Sequence, residues 1–467
     1  MVLNAPNGED LAVYYNRHPG YTGNCPQTSH TTWWRVTPYN WQETLYYIIR
    51  MLVLPLAAAV ILFVIFQVGL GSFSNPVIQW FSNILFFIAS VFFTSFTREL
   101  ARARLYRITL ADGLIDENED PNGRINFVAN AFTLTLNNIH PVQYRIGFVG
   151  DLMMMRKNNL VFDPDIINFF TGVEIIVGNL EGIVKLDGHG LFSQAHHPNI
   201  LPKLQALLTC NAEWLMCLSN NHSIDFGNIH FHDSLTKIDR SPISYVFGRN
   251  DVPNAYYQNP QPRINITTAT KWSNQHNWDC ISEYEDSSVH PGIRAHHLNT
   301  HFNILYPHWG YENERYVRDS IQDDARAWLT GPNQSWDLIF GHHPHVRQPI
   351  MSVPTRSAND APFHKLVVFS GGNFTSGVHF LRARKHLFGT IMTCDIGPLV
   401  ADPSQYAIGD VRWQRTVNVR TTPGGEKTKT VTIDTGDYPS SDTNSLIIAI
   451  VIIASIILVR ILELFFN

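Results

Sequence analysis

Short apolar runs, each ending abruptly in a polar cluster, recur along residues 142–443 of this chain. They are "YRIGFVGD" at 144–151, "VEIIVGNLEG" at 173–182, "EWLMCLSNNH" at 213–222, "FNILYPHWG" at 302–310, "WDLIFGHHPH" at 336–345 and "LVVFSGGNF" at 366–374. Too short for helices and enriched in β-branched and aromatic residues, they predict buried strands. Two intervening stretches carry a helical stripe instead. "NILPKLQALLTC" places Ile200, Leu201, Leu204, Leu207 and Leu208 on one face, and "RYVRDSIQDDARAWL" does the same with Val317, Ile321, Ala325 and Leu329. Strands alternating with helices predict an α/β core. Near the end of this region, "VRWQRTVNVRTTPGGEKTKTVTID" alternates polar and apolar on both sides of "PGGE", which predicts a hairpin at a sheet edge.

Longer apolar windows flank this region. Residues 51–70 carry no charge, and at ~1.5 Å per residue such a segment covers the ~30 Å of a bilayer's hydrocarbon. Residues 77–96 are also uncharged, though Gln79, Ser82 and Asn83 make them less apolar. Residues 445–459 continue through Arg460, which can snorkel, to 466. The expected organisation is a polar N-terminal extension (1–47), two transmembrane helices forming a hairpin (48–97), a connector (98–141), the α/β domain (142–443) and a C-terminal transmembrane helix (445–466). This makes the lipid bilayer a partner and the chain an integral membrane protein. Arg98, Arg102, Arg104 and Arg107 directly after the second window favour a cytoplasmic α/β domain by the positive-inside rule.

Charged residues make up 16% of the 467 and the formal net charge is −5, which argues against a nucleic-acid-binding surface. Five scattered cysteines show no CxxC spacing and imply no dense disulfide framework, although one bridge is compatible with them. The 21 histidines change the picture more, because several stand where strands end.

In open α/β sheets ligands gather at the carboxyl ends of strands. There this chain places Asp151; Asn179 and Glu181; Asn221, His222 and Asp225; His308; His343 and His345; and Asn373. Imidazoles mixed with carboxylates and amides suit a borderline divalent cation such as Mn, Fe or Zn. In "HPH", an extended loop would put His343 and His345 on one face, converging on one site. By contrast, His196 and His197 in "QAHHPN" read as loop residues.

With these residues in view, "GDLMM", "GNLEG", "SNNHSIDFG", "HWGYEN", "GHHPHVRQPI" and "SGGNF", in that order, resemble the CapA/PgsA family of poly-γ-glutamate capsule synthesis proteins, itself similar to the calcineurin-like metallophosphoesterases. The resemblance covers roughly residues 145–396. It implies a four-layer α/β/β/α sandwich, here with transmembrane helices at both ends, and a divalent metal site of one or two ions at the strand ends. By that analogy Asp151 binds the first metal and Asn221 the second, His308, His343 and His345 complete the coordination, and His222 acts as acid or charge stabiliser. Asp225 and Asn373 are assigned to the catalytic set with it. Two departures from the phosphoesterase pattern stand out. Met153 occupies the place of a histidine, and Asn179 that of a bridging aspartate, so that either Glu181 takes the bridging role or one metal binds. The implied function is a metal-dependent hydrolase acting in poly-γ-glutamate synthesis, export or processing, on an anionic polymer, alongside other subunits of a polymer-synthesis complex. The alternatives are phosphate-ester hydrolysis by a general metallophosphoesterase and a non-catalytic scaffold role. The family's usual orientation puts the domain outside the cell, opposite to the arginine count.

Overall fold

In a computed structural model of the protein, side chains along the central strands alternate between two buried surfaces, and this alternation organises the molecule. The structure describes residues 132–433 apart from short internal stretches, of which 283–300 is the longest. It also describes 114–115, most of 76–89, and the single positions 60 and 454. The chain divides into two compact units, one formed by 1–35 and 111–439, the other by 36–110 and 440–467. All the strands named below belong to the first.

The strands run β1 (Leu114–Ile115), β2 (Phe132–Thr135), β3 (Tyr144–Leu152), β4 (Asn159–Phe162), β5 (Ile175–Leu180), β6 (Ile183–Val184), β7 (Ala195–His196), β8 (Glu213–Cys217), β9 (Tyr245–Phe247) and β10 (Asn254–Tyr257). They continue with β11 (Ile264–Thr267), β12 (Phe302–Leu305), β13 (Leu338–Phe340), β14 (Ile350–Arg356), β15 (Pro362–Val368), β16 (Asn373–Thr375), β17 (Phe388–Pro398), β18 (Tyr406–Thr421) and β19 (Thr428–Ile433). Helices α1 (Pro164–Phe169), α2 (Ile200–Gln205), α3 (Asn228–Asp239) and α4 (Asp319–Thr330) lie between them. A ten-stranded mixed sheet has the order β4-β19-β18-β17-β3-β5-β8-β9, with β16 on β3 and β2 on β18. A seven-stranded mixed sheet has the order β1-β14-β15-β13-β12-β11-β10.

The two sheets bury one shared core. Tyr144, Ile146 and Phe148 of β3, Ile175 and Val177 of β5, and Leu215 and Cys217 of β8 meet Phe302, Ile304, Leu338, Phe340, Leu366 and Val368 of the other sheet. Phe148 and Phe340 stack across the gap with ring centroids 5.1 Å apart. The opposite face of the ten-stranded sheet, with Ile176, Trp214 and Met216, packs against Ile166 of α1, Leu204 of α2 and Phe231 of α3. On α4, Ile321, Ala325 and Leu329 are buried, as its stripe predicts.

Several sequence expectations need correction. The strand bounds differ from the runs: β3 extends through Asp151 to Leu152 and β5 includes Asn179, whereas β8, β12 and β13 stop before their terminal polar clusters. The β18–β19 hairpin is not the edge, since β4 pairs in parallel with β19 outside it. His196 lies buried in β7 rather than in a loop. Cys217 and Cys394 are free thiols. The expected fold with transmembrane helices at both ends, and with it the assignment as an integral membrane protein, does not stand. Among the described residues no helix is long and apolar enough to cross a membrane. The described positions within 76–89 are helical. There Gln79 donates to the Asn83 side-chain carbonyl at 2.7 Å, a polar pair that a hydropathy window averages away. Apart from positions 60 and 454, the expected spans at 51–70 and 445–459 lie outside the described residues.

Candidate metal centre

Strand alternation and one irregularity bring the candidate residues to a common place. Along β3 the residues facing the other sheet are Tyr144, Ile146 and Phe148, so strict alternation would turn Asp151 toward the helices. The pairing of β3 with β5 shifts register between Phe148 and Asp151. Consequently Val149 and Leu152 both face the helix side, and Asp151 points toward the inter-sheet side, a re-aiming for which bulges are known. Tyr306 fixes this kink by donating its hydroxyl to the carbonyl of Val149 across the sheets. In β5, Asn179 keeps the phase of Ile175 and Val177 and needs no such device.

Beyond the formal ends of β12 and β13 the same alternation continues. Phe302, Ile304 and Tyr306 lead to His308, and Leu338 and Phe340 lead to His342, with His308 and His342 paired directly in parallel register. Their Nδ1 atoms lie 2.8 Å apart. His342 is therefore a site residue absent from the sequence prediction, which took the "HPH" spacing instead. Period-two counting from Leu338 was the signal that would have found it. The loop that follows is not extended, as the sequence reading supposed. His343 and His345 adopt φ values of 101° and 57°, a conformation uncommon outside glycine and typical of functional sites. They converge all the same, with ring centroids 5.9 Å apart.

Asp151 is the hub. One carboxylate oxygen accepts from the Asn179 amide at 2.8 Å, the other from the backbone N–H of His343 at 3.1 Å. His342 Nδ1 lies 3.4 Å from the first oxygen and His345 Nδ1 lies 3.2 Å from the second. The second proton of the Asn179 amide goes to Glu181 at 2.8 Å, and its carbonyl accepts from Asn220 at 2.9 Å. Asn179 is thus a neutral strut between two fully buried carboxylates. Asn221 faces His308 Nε2 with its carbonyl oxygen at 3.0 Å. Its amide donates to Asn274, a residue from a stretch with no pattern that sequence could expose. Asn274 in turn donates to Asp225, tying the metal side to the pair His222 Nδ1–Asp225, which are 2.6 Å apart. Asn373 sits beside His345 at 3.2 Å and is held by the carbonyl of His386.

Charge follows from burial and neighbours. Burial alone would raise the Asp151 carboxyl, but His342 and His345 against its oxygens hold it well below the usual range. Burial, reinforced by the charge of Asp151, pushes Glu181 well above it. Burial, and then the neighbouring imidazoles, hold His308 and His343 well below the ordinary histidine value. Burial also lowers His342, against the pull of Asp151. The imidazoles of His308, His342 and His343 are therefore neutral at pH 7, the form in which histidine binds metal.

These side chains fit a divalent cation. Asp151 with His308 and His342, Glu181 with His308 and His343, Asp151 with Glu181 and His345, and Glu312 with His343 and His345 each bring ligand atoms within 4.8 Å of one another. Glu181 Oε1 is buried without a hydrogen-bond partner, which is costly in a neutral pocket and is relieved by a cation. Nitrogen and carboxylate donors without thiolates match the borderline metals.

Comparison with known proteins bears on the family. Residues 145–378, half of the chain, match the family described as bacterial capsule synthesis protein PGA_cap, and every candidate ligand and catalytic residue named above lies in that span. Over 226 residues the chain is 24% identical to the PGA biosynthesis protein CapA of Bacillus subtilis (strain 168), an alignment covering 44% of this chain and 58% of that protein. Over 296 residues it is 22% identical to the capsule biosynthesis protein CapA of Bacillus anthracis, covering 56% of this chain and 69% of the relative. The match thus spans little more than half the length of the first relative. On the strength of the span matched by the family description, this chain belongs to the bacterial capsule synthesis protein family.

Proposed function

We propose that this protein is a metal-dependent hydrolase of capsule-polymer metabolism, acting in the synthesis, export or processing of an anionic polymer of the poly-γ-glutamate type. The observation that carries the reading is the convergence of Asp151, Glu181, His308, His342, His343 and His345 in one buried cluster of a chain from this family. The names of the two relatives, one for PGA and one for capsule biosynthesis, support the substrate class. Other subunits of a polymer-synthesis assembly are the expected partners.

In this reading Asp151, His308 and His342 hold the cation, with Glu181, His343 and His345 beside them. A bound divalent cation supplies Lewis-acid polarisation and lowers the pKa of a coordinated water. The chain's own residues do the rest. Asp225 binds His222 through Nδ1, so Nε2 is the atom that gives or takes a proton at the reacting bond. Asn274 holds both Asp225 and Asn221, fixing the acid–base pair relative to the metal side. Asn373 steadies the ring of His345.

The test uses the full-length protein, assayed for Mn, Fe and Zn content and for cleavage of poly-γ-glutamate. Near-stoichiometric metal that is lost in His342→Ala, together with polymer cleavage lost in His222→Ala, is the expected result. Metal content unchanged in His342→Ala would overturn the site. Turnover of aryl phosphate esters without polymer cleavage would move the function to phosphate-ester hydrolysis. Normal polymer production in cells carrying Asp151→Ala would instead favour a scaffold role.

A further inference from the structure

Strand β16 is three residues long and pairs, among the described residues, with β3 alone, through Asn373 opposite Asp151 and Thr375 opposite Leu152. That leaves the carbonyl of Phe374 and the N–H of Ser376 on its other edge, both in fully buried residues and both in need of a partner. A side chain supplies them. Asn418, in β18, accepts from the Ser376 N–H at 2.9 Å and donates to the Phe374 carbonyl at 3.2 Å. Its amide thus does for residues 374 and 376 what the backbone of a neighbouring strand would do. Its other amide proton goes to the carbonyl of Leu387 at 3.1 Å, in a 3-10 turn (Arg384–Leu387).

The same turn braces Asn373, whose amide donates to the carbonyl of His386 at 3.0 Å while its side-chain oxygen lies 3.2 Å from His345 Nδ1. One edge of β16 is therefore set by β3, and Asn418 ties the other edge to the turn that holds Asn373. Strand β17 closes the arrangement. The Thr390 N–H donates to the Gly371 carbonyl at 2.7 Å, and a Cβ on Gly389 would stand 2.5 Å from the carbonyl oxygen of Asn373. Asparagine is depleted in strands, yet Asn418 sits at 1% exposure inside β18, between Val417 and Val419. A valine there would suit the strand and leave Phe374 and Ser376 unsatisfied. Asn418 also lies beyond residues 145–378, the span that the family description matches.

Resting on the metal-centre reading, we propose that Asn418 is a positioning residue of the site: by tying β16 to the 3-10 turn it fixes the Asn373 side chain against His345, so that the imidazole is aimed before any ligand arrives. The matched span is then not sufficient to build the site, and β18 completes it. Backbone pairing of β18 with β17 and β19 does not use the Asn418 side chain, so its removal should loosen β16 and leave the sheet standing.

The experiment compares full-length wild type, Asn418→Ala, Asn373→Ala and the double variant, each stripped with chelator. Hydrogen exchange by mass spectrometry in chelator should rise about tenfold over residues 371–376 in Asn418→Ala, the scale of a lost hydrogen bond, with residues 213–217 of β8 unchanged. In a Mn²⁺ titration followed by electron paramagnetic resonance, Asn418→Ala should bind about tenfold more weakly, the lower end of the scale for disturbed outer partners of metal ligands. That loss should vanish in the Asn373→Ala background, because a residue that acts through Asn373 then has nothing to act on. An equal loss in both backgrounds would overturn the inference, since a general destabilisation behaves that way. Unchanged exchange over 371–376 would overturn it too. Asn418→Asp, nearly isosteric, keeps the acceptor and loses both donors, so it should reproduce Asn418→Ala and carries the test if that variant does not fold. Wild-type exchange and affinity in Asn418→Asp would equally overturn the inference. No Mn²⁺ binding by wild type would overturn the metal-centre reading, and the exchange measurement alone would then decide whether Asn418 holds β16.

Discussion

Replacing Asn179 by aspartate puts the role of the neutral strut to a direct test. The native amide spends both protons on carboxylates, one on Asp151 and one on Glu181, each at 2.8 Å. In Asn179→Asp these two donors become acceptors facing acceptors, inside a site with no solvent exposure at any of the three residues. A hydrogen bond to the charged Asp151 is worth about 1.5–3 kcal/mol and one to the protonated Glu181 about 0.5–1.5 kcal/mol, so losing both costs roughly 2–4.5 kcal/mol before any added repulsion. For a domain of this size that corresponds to a fall in melting temperature of the order of 10 °C in the metal-free protein. Cations reverse the sign of the local problem, because a third carboxylate is a better ligand than an amide. The assay is thermal unfolding of wild type and variant, each in chelator and in excess Mn²⁺. The gap between the two proteins should be wide in chelator and should narrow with Mn²⁺. A gap below about 2 °C in chelator, or one that Mn²⁺ leaves unchanged, would refute the strut argument.

Other expectations follow from the same geometry. Glu181, held well above the usual carboxylate range by burial and by Asp151, keeps its proton at pH 7 without a cation. Metal binding should therefore release about one proton and tighten as pH rises, as counted by calorimetry in buffers of different ionisation enthalpy, and Glu181→Gln should abolish that release. His196, lowered to about 4 by burial despite its contact with the Glu181 carbonyl, is neutral in the fold, while the unfolded chain takes up its proton below about 6.5. Its contribution is thus fully present above pH 6.5, is lost between 6.5 and 4, and amounts to about 3 kcal/mol. A His196→Gln variant should show a correspondingly flatter dependence of urea midpoint on pH. Gly150→Ala would set a Cβ 2.0 Å from the carbonyl oxygen of Gly372 and 2.8 Å from the carbonyl carbon of Gly371, both backbone atoms. It should force β16 off β3, cost at least about 1–3 kcal/mol in denaturant unfolding, and weaken Mn²⁺ binding by displacing Asn373 from His345.

Much of the site was legible because its positions obey local rules. Alternation from Phe302 and from Leu338 carries His308 and His342 onto the inner face, and Asn179 follows the phase of Ile175 and Val177, all countable along the chain. His342 is readable in this way, although the more conspicuous "HPH" spacing points to His343 and His345 instead. Hydropathy windows sum residue types along 77–96 and do not register contacts such as the bond between Gln79 and Asn83.

What the amino-acid order determined by itself was the set of strands and the polar clusters at their ends, because the two-residue period and the turn chemistry act between near neighbours. Tertiary structure alone decided which clusters meet. The register shift that turns Asp151 inward exists only in the pairing of β3 with β5. The left-handed backbone of His343 and His345 brings their rings together without an extended loop. Asn274 and Glu312 join the site from segments with no periodicity to betray them. Contacts between residues tens to hundreds of positions apart are set by packing two sheets face to face, and no local pattern encodes that distance.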